Sequence, residues 1–137
     1  MALVEVTFPG DKKVAANIHG HSIVTDQSKK NGGEGAAPEP FELFLASIGT
    51  CAGIYAKSFC DERNLPSPRG LDLDLSRADG GLISKLELVL HVDSDFPSKY
   101  DRAIIRSMEL CAVKKQLRTE IETTVRVARK NGTESAP

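Results

Sequence analysis

Pro40-Phe41-Glu42-Leu43-Phe44-Leu45-Ala46-Ser47-Ile48-Gly49-Thr50-Cys51-Ala52-Gly53-Ile54-Tyr55-Ala56 is the stretch on which the fold turns. From Leu43 to Ala56 the only ionisable side chains are Cys51 and Tyr55. Proline suits a first helical turn, and Glu42 favours the positive end of the helix dipole. The spacing therefore predicts a helix that starts at 38–41 and runs to about Arg63, where Asn64-Leu65-Pro66 stops it. Phe41, Leu45, Ile48, Ala52, Tyr55 and Phe59 fall on one stripe of that helix. Leu43, Ala46, Thr50, Gly53 and Ala56 largely cover the opposite side. A helix apolar nearly all round is buried on both faces. Ala46, Gly49 and Gly53 are small enough to let another backbone approach, at up to about 1 kcal/mol of helix propensity per glycine. A thiol in such a helix is either an inert core residue or a nucleophile shielded from bulk water.

The composition bounds the alternatives. The chain has 137 residues, 40% of them hydrophobic, which suits a single globular domain over 1–137. Its 18 basic and 19 acidic residues leave a net charge of −1, with no basic excess to draw it to nucleic acid or an anionic membrane. With no Trp and two Tyr there is no aromatic platform for stacking bases. The longest uncharged run is shorter than the roughly 20 residues of a spanning helix, and the first 20 residues lack a basic start and an apolar signal core. A soluble, cytoplasmic protein is expected. Three cysteines without a C-x-x-C pair do not form a disulfide framework.

Outward from the central helix, the rest of the chain reads as strands and one more helix. Leu3 to Phe8, Lys13 to Ile18 and His21 to Thr25, separated by Pro9-Gly10-Asp11 and Gly20, predict an antiparallel meander. Residues 26–37 are polar and glycine-rich and predict a mobile loop. Leu71-Asp72-Leu73-Asp74-Leu75 alternates strictly, and Leu82 to Val92 repeats the pattern after Ala78-Asp79-Gly80-Gly81, which predicts a hairpin. Ser98 is a candidate cap for a second helix with Tyr100, Ile104, Met108 and Cys111 near one face. A last strand is expected over Ile121 to Val127, and 130–137 reads as a frayed tail. The order βββ-α-ββ-α-β indicates an α+β domain.

The thiols differ in their prospects. Cys51 and Cys60, nine residues apart, sit about 180° apart on a regular helix and cannot share a site. Cys60 lies among Lys57, Asp61, Glu62 and Arg63 and reads as structural. Cys111 is near the inward stripe of the second helix, and spacing alone does not say whether it reaches Cys51. If it does, the pair can act as attacking and resolving thiols, a thiolate reducing a peroxide and its sulfenic acid condensing with the second thiol. Apolar burial alone would raise the Cys51 pKa, so an activating group is required. No arginine precedes Arg63, leaving His19, His21 and the lysines of the meander as cations. His19 and His21, spaced i, i+2, would share a face on a strand and could form half of a metal site, but more often such residues are exposed strand positions. No metal or cofactor is expected.

Pro38-Glu39-Pro40-Phe41-Glu42-Leu43-Phe44-Leu45-Ala46-Ser47-Ile48-Gly49-Thr50-Cys51 resembles the cysteine helix of the OsmC/Ohr family of osmotically induced and organic hydroperoxide resistance proteins. The glycine-rich approach, the hairpin and a second cysteine after another helix match as well. The resemblance implies an intertwined homodimer with a thiol site near its interface, the second face of the helix meeting the partner. It implies two-cysteine reduction of organic hydroperoxides, with Cys51 peroxidatic, Cys111 resolving and a dithiol as reductant. Peroxidase branches also carry an N-terminal arginine and a glutamate ten positions before the first cysteine. Here that position is Phe41, with Glu42, the candidate carboxylate, one step later. Ala112-Val113 stands where those branches carry a proline. These departures imply a divergent branch, for which the alternative is a non-catalytic protein holding a small hydrophobic ligand at the dimer interface.

Overall fold

The computed structural model describes residues 2–117, 122, 126–128 and 134–135. Three strands, β1 (Glu5–Gly10), β2 (Lys13–Ile18) and β3 (His21–Thr25), form an antiparallel meander in the order β1-β2-β3. His19 and Gly20 form the β2–β3 turn with φ of 47° and 78°, the left-handed pair that a two-residue hairpin requires. His19 is thus in a turn and His21 on a strand, so the two do not share a strand face. Every residue of β1 is exposed, and Phe8 retains 79% of its surface. Only Ala15 and Thr25 of the meander are buried.

Residues 26–39 tie the meander to the central helix. The stretch expected from its composition to be mobile is hydrogen-bonded around Asp26. The Asp26 carboxylate is fully buried and accepts from the backbone N–H groups of Gln27 (2.8 Å), Ala36 (3.1 Å) and Glu34 (3.3 Å). These donors hold it below the usual carboxylate range, that of Ala36 contributing most. Gly33 is required there by space rather than conformation: a Cβ would lie 2.1 Å from the carbonyl oxygen of Gln27.

The central helix α1 (Pro40–Glu62) carries Glu39 as its N-cap and proline in its first turn. Glu42 accepts from the Glu39 N–H at 3.2 Å, satisfying a backbone donor at the helix start. The hairpin β4 (Gly70–Arg77) and β5 (Ile83–His91) pairs Leu71 with Leu90, Leu73 with Leu88 and Leu75 with Leu86. This register puts six leucines on one face. Leu71, Leu88 and Leu90 pack with Ala52, Ala56, Phe59 and Cys60 of α1 and with Ile104 and Met108 of α2 (Asp101–Glu109). By length and composition alone α1 could cross a membrane. Here it is the core helix on which the hairpin and α2 rest.

The second helix differs from the sequence reading in a way that matters for the site. Ser98–Tyr100 is a 3-10 turn, and the Ser98 side chain caps nothing. The α-helix then spans only Asp101–Glu109, and after Leu110 and Cys111 a short α3 (Ala112–Gln116) begins. Beyond it, β6 (Val127–Ala128) pairs with β7 (Glu134–Ser135). Apart from Glu122, Arg126 and Val127, the strand expected over 121–127 lies outside the described residues, as does most of the expected tail. The architecture is α+β around one long helix, as expected.

One face of α1 is uncovered within this chain. Ile48, Ala52, Ala56, Phe59 and Cys60 are buried, whereas Ala46, Thr50 and Ile54, one helical turn apart, are exposed, Ile54 by 58%. A Cβ added at Gly49 or Gly53 would meet nothing within 4 Å.

Candidate functional site

Cys51 is half-buried in the middle of α1, and Cys111 is fully buried at the junction of α2 and α3; both thiols are free. The junction explains how they meet. The Leu110 and Cys111 N–H groups close the end of α2 on the carbonyls of Ser107 and Met108, at 3.1 and 3.3 Å. The Cys111 carbonyl then accepts from the Lys115 N–H at 3.1 Å and opens α3. The first N–H groups of a helix have no partner inside it. Here two of them, from Val113 and Ala112, are donated to the Cys51 sulfur, as is the Cys111 thiol proton.

These bonds set the electrostatics. The Cys51 pKa lies below the usual thiol value of 9.0, first because Cys111 donates to its sulfur, then because Val113 does. Desolvation pushes the other way, and the Ala112 N–H adds a smaller lowering. None of these contributions is a cation. Among the described residues, the groups that lower it are a helix start and a neighbouring thiol rather than an arginine, histidine or lysine. Substituting Ala112-Val113 for proline matters here, because a proline after Cys111 would remove one of the two N–H donors.

The other candidates fall apart from this pair. Glu42 is nine residues before Cys51, about 13 Å along the helix axis, and its carboxylate is engaged at the helix start. Within this chain it is not brought to the thiols. Arg77 of β4 lies over the ring of Phe41, 5.2 Å from its centre, also at the start of α1. Cys60 faces the core rather than the charged end of the helix, and burial pushes its thiol pKa up. Among the described residues no group of three or more His, Cys, Asp or Glu is placed to hold a metal.

Beside Cys111 an open apolar groove of about 480 Å³ runs between α1, β5 and α2. Ile48, Leu88, Phe96, Ile104 and Met108 line it, with Cys111. Sequence reasoning placed the two thiols on inward faces but missed the groove and the α2–α3 break. The one local signal was the run Leu110-Cys111-Ala112-Val113, whose apolar residues continue past the face that α2 presents to the core.

A long helix carrying a half-buried cysteine, packed on a hairpin and met by a second cysteine at a helix break, defines an α+β thiol protein. The chain belongs to the OsmC family: the model for OsmC-like protein matches residues 32–126. Among solved structures it is similar to a protein of Psychrobacter arcticus provisionally described as an osmotic stress induced and detoxification response protein. That match has 20% identity and a TM-score of 0.68 over 85% of this chain and 88% of the other. It is similar to an organic hydroperoxide resistance protein OsmC from Legionella pneumophila, at 17% identity and a TM-score of 0.54 over 87% and 90% of the chains. It is also similar to an organic hydroperoxide resistance protein, again provisionally described, from Vibrio cholerae with captopril bound in one of its active sites. There the identity is 14% and the TM-score 0.56, over 90% of both chains. Such identities establish the fold alone. No curated protein matches the sequence.

Proposed function

We propose that this protein reduces organic hydroperoxides, with Cys51 as the attacking thiol and Cys111 as the resolving thiol. The observation that carries the reading is the hydrogen-bonded pair: a half-exposed sulfur with a lowered pKa, backed by a buried thiol that donates to it. The Cys51 thiolate attacks the outer peroxide oxygen, the O–O bond breaks, and the alcohol leaves after taking up a proton. Cys51 is then a sulfenic acid, and the Cys111 thiolate displaces its hydroxyl as water to form a disulfide. A dithiol donor reduces that disulfide and becomes oxidised in its place. A cytoplasmic setting would keep the pair reduced between turnovers. The similar proteins described as hydroperoxide resistance proteins support the same chemistry.

The functional unit in this reading is a homodimer. Two uncovered surfaces support it: the Ala46, Thr50 and Ile54 stripe of α1, and the meander, with β1 wholly exposed. The reading is tested by treating reduced protein with cumene hydroperoxide and mapping disulfides by mass spectrometry. A Cys51–Cys111 link is expected, and equal turnover by Cys51→Ser overturns the proposal. The second reading, a binding protein for a small hydrophobic ligand, draws on the apolar groove. A Cys51 pKa measured above the ordinary thiol value would favour it.

A further inference from the structure

Serine and threonine inside a helix usually turn their hydroxyls back onto their own backbone. In α1, Ser47 donates to the Phe44 carbonyl at 2.6 Å, and Thr50 to that of Ala46 at 2.8 Å. Ser107 of α2 does something else. Its hydroxyl reaches across to α1 and donates to the Tyr55 carbonyl at 3.5 Å, joining residues 52 positions apart. Ser107 also ends its own helix, because its carbonyl accepts from the Leu110 N–H at 3.1 Å. One half-buried residue thus closes α2 and ties it to α1, four positions before Cys111. Tyr55 lies four positions after Cys51. The two helices run antiparallel, Tyr100 meeting Phe59, Ser107 meeting Tyr55 and Cys111 meeting Cys51. Four steps forward from Ser107 and four steps back from Tyr55 therefore arrive at the two thiols.

We infer that Ser107 is a positioning residue: its hydroxyl fixes the register of α2 against α1 and so delivers Cys111 and the start of α3 to the Cys51 sulfur. This deepens the peroxidase reading and rests on it for the roles of the two thiols. The core contacts between the helices are apolar, Ala52, Ala56, Phe59 and Cys60 packing with Ile104 and Met108. Such contacts have no direction, and a small slide along the axis keeps most of the burial. The thiols tolerate much less. A slip of one residue moves α2 by about 1.5 Å. The Cα separations open to a disulfide span only about 2.4 Å, from roughly 4.4 to 6.8 Å. A hydrogen bond, by contrast, has a preferred direction and weakens steeply away from it. Placed beside the break, the Ser107 hydroxyl turns loose helix packing into a defined register. The length of the bond suits a role in direction rather than in strength.

The test uses the full-length reduced protein and an isosteric pair, Ser107→Thr and Ser107→Val, in which a methyl replaces the hydroxyl. The readout is the pH midpoint for Cys51 alkylation by iodoacetamide, followed on the Cys51 peptide by mass spectrometry. Ser107→Thr should keep the wild-type midpoint. Ser107→Val should raise it by about 0.5 of a pH unit, a roughly threefold loss of thiolate at a given pH below the midpoint. Ser107→Ala, compared with wild type, serves if either β-branched variant fails to show a native melting curve. Ala103→Gly, at an exposed position of α2, weakens the helix without touching the contact and should leave the midpoint unmoved. Equal midpoints with and without the hydroxyl overturn the inference, as does a shift of the same size in Ala103→Gly. The measurement needs no peroxide, so cumene hydroperoxide turnover by the wild type separates it from the proposed function. A hydroxyl-dependent midpoint without turnover sinks the peroxidase and keeps the register; turnover with equal midpoints does the reverse.

Discussion

Cys51 is half-buried and receives hydrogen bonds from a thiol and two backbone N–H groups, whereas Cys60, two and a half turns further along α1, is fully buried among apolar side chains. Both belong to the same uninterrupted helix, and burial raises the pKa of each. At Cys60 burial is the largest effect and the thiol moves up. At Cys51 the donors outweigh it and the thiol moves down. The difference does not lie in α1. It lies in what the second helical region does opposite each thiol. Opposite Cys60, Ile104 and Met108 present a packed apolar face. Opposite Cys51, the chain breaks after Glu109 and turns the unpaired start of α3 toward the sulfur.

The largest expected effect separates the two thiols by activity. Cys51→Ser should lower hydroperoxide reduction by about 100-fold or more, since a hydroxyl is a far weaker nucleophile than a thiolate. Cys60→Ser, assayed in parallel, should leave the rate constant for peroxide consumption unchanged while lowering stability by about 1–3 kcal/mol, as a hydroxyl is buried in place of sulfur. Urea titration of the second variant checks the stability. A Cys60 variant that loses activity without losing stability would break the comparison.

A smaller effect sharpens the cause of the Cys51 shift. In Cys111→Ala the principal donor is gone, so the pH midpoint for Cys51 alkylation should rise toward that of a free thiol. In Cys111→Ser a hydroxyl can still donate, and the rise should be less. Iodoacetamide labelling across pH, with the Cys51 peptide followed by mass spectrometry, reads both. The linkage has a definite sign. A depressed thiol pKa contributes stability that is fully present above the unfolded value of about 9.0 and is lost as pH falls through the folded value. The alanine variant should therefore show a weaker rise in stability on the alkaline side. An unmoved midpoint would mean that the α3 N–H groups alone lower it.

The smallest expected effect comes from a region that touches neither thiol. Asp26→Asn keeps the shape of the loop but weakens three charge-assisted bonds, so the melting temperature should fall while the Cys51 midpoint stays put. The Asp26 pKa is depressed, so its contribution is present above the unfolded value near 3.8 and is lost as pH falls through the lower folded one. The gap between wild type and variant should close under acid conditions. Thermal melts at pH 7 and in acid measure it.

Most of the scaffold was legible from local periodicity. The alternation of leucine and aspartate over 71–75 fixed which face of the hairpin packs inward, and the observed register agrees. Pro40 and the Asn64-Leu65-Pro66 stop bounded α1 to within a residue or two. The inward stripe was only partly right. Ile48, Ala52 and Phe59 are buried, but so are Ala56 and Cys60, and Phe41 is exposed. Packing against a single hairpin and α2 selects a narrower face than an apolar helix offers. The bonding of Asp26 escaped notice because its donors, Glu34 and Ala36, are backbone groups with no side-chain signature.

The sequence by itself determined an α+β domain built on one apolar helix, with Cys51 at its middle and Cys111 close to a second, shorter helix. Each of these is written in spacings of two to four residues, which act through the nearest turns of the chain. Only the tertiary structure decided that the Cys51 pKa lies below that of a free thiol. Its donors come from residues some 60 positions away, and two of them are backbone N–H groups freed by a helix break. No side-chain pattern encodes where such groups will point. The packing of α2 and α3 across α1 aims them at the sulfur.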